Sequence, residues 1–293
     1  MQVHQPVMPN EVIEQLCLKE TGIYLDMTVG AGGHSSLIAQ KISNKGKILG
    51  IDQDSEILQY AQITLQQTNT PFQLFQSPFS KAHHILQQNN IPKIDGVLLD
   101  LGVSSYQLSA PLRGFSFQTE GPLDMRMSSQ NPITAAKILE TYSQKQLEKI
   151  FFEWGEESQS RKIAQKIVER RVHTPFLSTL DLASFIAECY GFRRGKIHPA
   201  TKIFQALRIE VNNEMEELQQ ALTNIIPYLN VDARIVIITF HSLEDRIVKQ
   251  YLKKHEKELQ IITNKPILPT QQEIRMNPRS RSAKIRVAQK RDY

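Results

Sequence analysis

This chain of 293 residues has only two cysteines, Cys17 and Cys189, and a single tryptophan. Two thiols so far apart exclude a disulfide framework and a thiolate metal site, and they fit free thiols in a reducing compartment. No histidine or cysteine cluster has metal-ligand spacing either, so no metal is expected. Long apolar runs are missing. The most apolar short stretch, Ile235-Val-Ile-Ile238, is far below the ~20 residues needed to cross a bilayer, and no basic segment followed by an apolar one marks a targeting sequence. The expectation is a soluble cytoplasmic protein with no membrane partner. Low-complexity tracts and internal repeats are also lacking, and 40% hydrophobic residues suffice for a substantial core.

A strong charge bias is missing over most of the chain. The net charge is +5, but residues 275–293 hold seven basic side chains (Arg275, Arg279, Arg281, Lys284, Arg286, Lys290, Arg291) against one acidic one, Asp292, so the rest sums to −1. A second basic zone lies between Gly191 and Arg208, with Arg193, Arg194, Lys196, Lys202 and Arg208 and no acid. A nearly neutral body with two basic zones suits contact with a polyanion.

The first hundred residues alternate short apolar runs with helical periodicity, the pattern of a parallel sheet covered by helices. Strands are predicted at 23–27, 47–51, 72–75 and 94–99, with helices around 34–43, 57–65 and 80–89. From Gly102 to Met127 glycine, serine, proline and arginine occur with no period, which predicts a long functional loop. Helices follow, with a capping box at Ser143-Gln-Lys-Gln146 and a helix start at Ser178-Thr-Leu-Asp181. One long helical stretch is predicted from about 200 to 226, ended by Pro227. Then come a strand at 234–239, a helix carrying Leu243, Ile247, Val248, Tyr251 and Leu252 on one face, and a last strand at 283–287. The economical reading is an α/β core, 1–108 with 206–293, interrupted by an inserted helical domain, 109–205.

The first strand ends in Asp26-Met-Thr-Val-Gly30-Ala-Gly32-Gly33-His34 and runs directly into a helix. Glycines at such a turn let backbone amides come close to a ligand. A dinucleotide fingerprint would place a third glycine at position 35, where the chain has Ser35. Asp26 would repel a pyrophosphate but attract an amino group. Asp52, at the end of the second strand, can accept hydrogen bonds from both hydroxyls of a ribose. An amino acid plus a ribose without phosphate describes S-adenosylmethionine. Phe79 follows the third strand, where it could flank an adenine or serve as core packing. Asp100 ends the fourth strand. All four residues would line the crevice beyond the carboxyl ends of the strands.

These residues belong to a larger set: Gly30-Ala-Gly-Gly-His34, Leu98-Leu-Asp-Leu-Gly-Val-Ser-Ser105, Arg113-Gly-Phe-Ser-Phe117, Gly121-Pro-Leu-Asp-Met-Arg-Met127, His198-Pro-Ala-Thr201, Phe240-His-Ser-Leu-Glu-Asp-Arg246 and Asn277-Pro-Arg-Ser-Arg281. Together, over nearly the whole chain, they resemble the RsmH (MraW) family of bacterial methyltransferases. The resemblance implies a Rossmann-like class I methyltransferase sheet with an inserted helical substrate-recognition domain. It further implies S-adenosyl-L-methionine as cofactor and methylation of the N4 amino group of a decoding-region cytidine in 16S rRNA. The partner is then 16S rRNA, free or within the assembled small ribosomal subunit, and the protein a monomer or a homodimer. Carried over by position, the cofactor contacts fall on Gly32, Gly33, His34, Asp52, Phe79, Asp100 and Gln107, of which His34 and Gln107 rest on the resemblance alone.

A cytosine amino group is a poor nucleophile because its lone pair is delocalised into the ring, so catalysis must be mainly positioning and electrostatics. Asp100 is the catalytic candidate, contacting the cofactor, the target amino group or both. His241, Ser242, Glu244 and Asp245 either hold a flipped base, or Ser242 caps the following helix while Glu244 and Asp245 favour its dipole. A nicotinamide-dependent oxidoreductase on the same fold is disfavoured by Ser35 and Asp26, and a non-catalytic RNA-binding scaffold by the intact glycine turn and Asp52.

Overall fold

The computed structural model describes residues 5–191 and 198–292. It divides into two compact units: one comprises the segments up to Gly102 and from Met215 onward, the other Val103–Glu214. Arg193, Arg194 and Lys196 of the second basic zone lie outside the described residues.

In the first unit the chain runs through α1 (Pro9–Leu16), β1 (Ile23–Asp26), α2 (Gly33–Ala39), β2 (Lys47–Asp52), α3 (Ser55–Gln66), β3 (Phe72–Gln76), α4 (Ala82–Gln88) and β4 (Ile94–Asp100). The second unit holds α5 (Ser105–Ser109), α6 (Ala135–Thr141), α7 (Gln144–Glu153), α8 (Ser160–Arg171), α9 (Thr179–Cys189) and α10 (Ala200–Asn212). The chain returns to the first through α11 (Glu214–Ile225), β5 (Leu229–Thr239), α12 (Ser242–Lys254), β6 (Leu259–Ile261), α13 (Gln271–Met276) and β7 (Lys284–Lys290).

The strands form one sheet in the order β3-β2-β1-β4-β5-β7-β6. The first five positions are parallel, whereas β7 runs antiparallel to both β5 and β6. Both faces are covered, which is why the strands read as continuous apolar runs. Leu25, Met27, Val97, Leu99, Ile235 and Ile237 pack into one layer with Leu86 of α4, Leu222 of α11 and Val248 of α12. Their alternate neighbours Tyr24, Leu98, Val236 and Ile238 pack into the other, with Val12 of α1 and Ile38 of α2. The order reverses between β1 and its neighbours, so the carboxyl ends of β1, β2 and β4 share one edge at the switch point. Asp26, Asp52 and Asp100 are the last residues of those three strands.

The second unit is helical, built around Leu139, Leu147, Phe151, Ile163, Ile167, Ile186, Ile203 and Leu207. The capping box opening α7 forms as expected between Ser143 and Gln146, and Ser178 caps α9. Arg170 pairs with Asp181 and lies over the rings of Phe176 and Phe185, tying α8 to α9.

Four expectations need correction. The 102–127 segment is not wholly irregular, because Ser104 and Gln107 form a capping box that starts α5. The helix expected from 200 to 226 breaks at Asn213, whose left-handed backbone (φ 50°) ends α10, a conformation asparagine tolerates better than most residues. The strand expected at 234 begins at Leu229. The basic C-terminus is no tail: β7 sits inside the sheet, Arg286 is buried and bonds Asp245 through Nε at 2.6 Å, and Lys284 and Lys290 pair with Asp245 and Glu258. The charge left exposed there is on Arg275, Arg279, Arg281 and Arg291.

Candidate active site

The turn after β1 is knitted to its neighbours by backbone and side-chain bonds. The Val29 amide donates to Ile51 O and the Gly30 amide to Asp52 Oδ2 at 3.0 Å. Asp52 Oδ1 accepts from the Asp54 amide, so the carboxylate is held at the mouth of β2 while the residue stays half-buried. Burial pushes the Asp52 carboxyl up to about 7, even though the two amides pull it down. Asp26 is fully buried and committed. Its Oδ2 accepts from the Ser35 hydroxyl at 2.7 Å and its Oδ1 from the Thr28 amide at 3.2 Å, and burial raises its carboxyl to about 6. Ser35, read from sequence as a missing glycine, thus has a positive role: its hydroxyl satisfies the acid beneath the turn.

Gly32 takes the left-handed conformation (φ 85°) ahead of α2. A side chain there would come within 3.3 Å of Ala61 Cα and Thr64 Cβ of α3, so this glycine serves helix packing as well as the turn. Gly30 (φ 53°) has no such neighbour on its Cβ side, which leaves that face of the turn open.

His34, the second residue of α2, is buried, and its Nε2 lies 3.5 Å from Asp100 Oδ2. Asp100 is fixed from behind: its amide donates to the Thr28 hydroxyl at 2.6 Å, and the Leu101 amide donates to Ile238 O. Thr28 is a residue the sequence reading missed, because its partner lies across the sheet and no spacing along the chain signals it. Phe79 opens a short 3₁₀ turn after β3 and packs part of its ring on the core. The structure therefore places Gly32, Gly33, His34, Asp52, Phe79 and Asp100 in one unit, around the carboxyl ends of β1 to β4. Gln107 belongs to the other unit, where it is buried and its Oε1 accepts from the Ser104 amide.

The segment after β5 forms the start of α12. His241, not Ser242, caps α12 through a capping box with Glu244, whose Oε2 accepts from the Phe240 amide at 2.8 Å. The Asp245 carboxyl is lowered from its ordinary value, because the hydrogen bonds and charges of Arg286 and Lys284 outweigh its burial.

Buried polar atoms without partners are rare in native proteins. Among the described residues, Asp100 Oδ1 and both ring nitrogens of His34 have none. The two side chains face each other beside the glycine turn, where a ligand carrying both donors and acceptors would satisfy them.

An α/β sheet of this order, with an antiparallel β7 and acidic residues closing β1, β2 and β4, defines a Rossmann-like methyltransferase. Comparison with known proteins narrows the class. Residues 1–291 match the MraW methylase family. The chain is 43% identical to the ribosomal RNA small subunit methyltransferase H of Carboxydothermus hydrogenoformans, covering 99% of this chain and 98% of that protein. It is 47% identical to the protein of the same name from Thermotoga neapolitana (98% and 95%) and 46% to that from Trichodesmium erythraeum (98% and 99%). The chain belongs to the MraW methylase family. Its methyl donor is S-adenosylmethionine, and the open glycine turn, the Asp52 carboxylate and the unpartnered atoms of Asp100 and His34 fit that group.

Proposed function

We propose that this protein methylates the exocyclic N4 amino group of a decoding-region cytidine in 16S rRNA, within the assembled small ribosomal subunit in the cytoplasm. The observation that carries the methyl-transfer reading is the unpartnered pair Asp100–His34 beside the glycine turn, in a chain whose relatives are named as small-subunit rRNA methyltransferases. The core, 1–108 with 206–293, takes the cofactor, and the helical segment 109–205 recognises the RNA.

When bound, the donor supplies a methyl group already activated by its sulfonium charge. Gly32, Gly33 and His34 shape the wall of the site, and Asp52 offers its carboxylate to vicinal hydroxyls. The exposed part of Phe79 offers a flat apolar surface to a base, and Gln107 is assigned here by resemblance alone. Asp100 presents Oδ1 to a cationic centre or to an N–H. In the first role it favours the charged donor; in the second it localises the amino lone pair of the target. A proton released from the methylated nitrogen would find an acceptor at Asp100 Oδ1, with His34 3.5 Å from the other oxygen. The contribution is positioning plus fixed charge in a partly dehydrated site.

Two measurements test this. S-adenosylhomocysteine should raise the melting temperature and NAD should not; the reverse result would favour an oxidoreductase. Asp100→Asn should weaken S-adenosylhomocysteine binding and turnover together. Unchanged affinity with abolished turnover would assign Asp100 to the target base instead.

A further inference from the structure

The segment just before α1 lies against the glycine turn and is gripped from the far end of the chain. A Cβ placed on Gly33 would make ordinary van der Waals contact with the Pro6 ring at 3.5 Å, so Pro6 faces the turn across a methyl-sized space. Two residues later Met8, fully buried, adopts a left-handed backbone (φ 50°, ψ 50°) just ahead of α1. A bulky residue rarely holds that conformation unless its surroundings enforce it. The enforcing contacts come from α13 and the turn after it. Glu273 Oε1 accepts from the Met8 amide at 3.1 Å, and Asn277 Nδ2 donates to Gln5 O at 3.4 Å. Asn277 is itself locked, since its carbonyl accepts both the Ser280 amide and the Ser280 hydroxyl, and both residues are buried. The capping threonine Thr270 in turn fixes Glu273.

We propose that Glu273 and Asn277 are positioning residues for the cofactor-binding turn, acting through a strap formed by residues 5–8. They touch no reacting atom; they hold Pro6 opposite Gly33 and so set where the turn and the adjoining His34 stand. This assigns a structural purpose to Asn277 of the Asn277-Pro-Arg-Ser-Arg281 motif. The inference rests on the reading that the glycine turn binds S-adenosylmethionine.

Calorimetric titration with S-adenosylhomocysteine tests it in the full chain, alongside steady-state methyl transfer. Removing one hydrogen bond to a charged acceptor should weaken affinity about tenfold in Glu273→Ala, and raise KM for S-adenosylmethionine to match while KM for the RNA substrate holds. Glu273→Gln, whose amide oxygen can accept the same Met8 N–H, should restore affinity to near the parent value. Pro6→Gly, which leaves α13 untouched, should reproduce the loss and carries the test should Glu273→Ala fail to fold. A merely structural defect would lower the active fraction and leave affinity and both KM values unchanged. Parent-level affinity in Pro6→Gly, or in a folded Glu273→Ala, would overturn the proposal. Failure of the parent protein itself to bind S-adenosylhomocysteine would instead defeat the underlying cofactor reading.

Discussion

Asp52 turns the proposed site into a measurable pH dependence. Its carboxyl is raised to about 7 in the ligand-free protein because burial penalises the charge more than the Gly30 and Asp54 amides favour it. A ligand that donates hydroxyls to this group binds the ionised form better, so protonation must be reversed before binding. With a free-state value near 7, the ionised fraction falls from about nine-tenths near pH 8 to about one-tenth near pH 6, which weakens apparent affinity roughly tenfold. S-adenosylhomocysteine affinity should therefore fall by about that factor between pH 8 and pH 6. In calorimetry near pH 6, binding should also release close to one proton, seen as a dependence of the heat on buffer ionisation enthalpy. Asp52→Asn should bind more weakly and lose most of the slope, whereas Asp26→Asn should keep it, because both Asp26 oxygens are already engaged inside the turn. A flat profile in the parent protein, or an unchanged slope in Asp52→Asn, would refute the hydroxyl-acceptor role.

Asp26 gives a stability effect with a defined sign. Its folded value, about 6, lies above the ordinary 3.8, so its contribution is most favourable below pH 3.8 and is lost as the pH rises to about 6, at a cost on the order of 3 kcal/mol. Asp26→Asn, which mimics the neutral acid, should be more stable than the parent in urea at pH 8 and lose that slope; a less stable variant would contradict this. Arg286→Ala should cost about 1–3 kcal/mol by removing a buried side chain and two of the bonds to Asp245, which is partly exposed and keeps Lys284, read as a lower urea midpoint. Arg279→Ala with Arg281→Ala removes two exposed charges and should weaken rRNA association and flatten its salt dependence with S-adenosylhomocysteine affinity unchanged. Gly114→Ala should unfold the second unit, since at φ 71° a Cβ would sit 2.1 Å from Pro122 O; near-parent stability would show that the 114–122 loop can rearrange.

The central strands were legible because both sheet faces are buried there and their middles are apolar runs, as Val97–Leu99 and Ile235–Ile238 show, whereas β3 interrupts its apolar residues with Gln73 and Gln76. The carboxyl ends of β1, β2 and β4 were legible because a charged residue, Asp26, Asp52 or Asp100, stops the run. What the sequence hid lies in partners distant along the chain. Arg286 reads as one more basic residue near the C-terminus, and only the insertion of β7 beside β5 shows it facing Asp245. Thr28 beneath Asp100 and Glu273 on the Met8 amide depend likewise on tertiary approach. The break at Asn213 carried only the weak signal of an asparagine inside a helical pattern, and three-residue β6 is too short to show a period. The Ser104–Gln107 capping box, by contrast, was present in the sequence and went unread because the loop around it is rich in glycine and proline.

The proposed reaction is methyl transfer to one amino group of the small-subunit RNA. Its most direct test incubates the protein and labelled S-adenosylmethionine with small subunits from cells lacking this modification, then maps the label by nuclease digestion and mass spectrometry. One labelled nucleoside should appear, an N4-methylated cytidine of the decoding region, and the label should be lost with Asp100→Asn. Label on a ring carbon, on a different nucleotide, or on none despite measurable cofactor binding would contradict it.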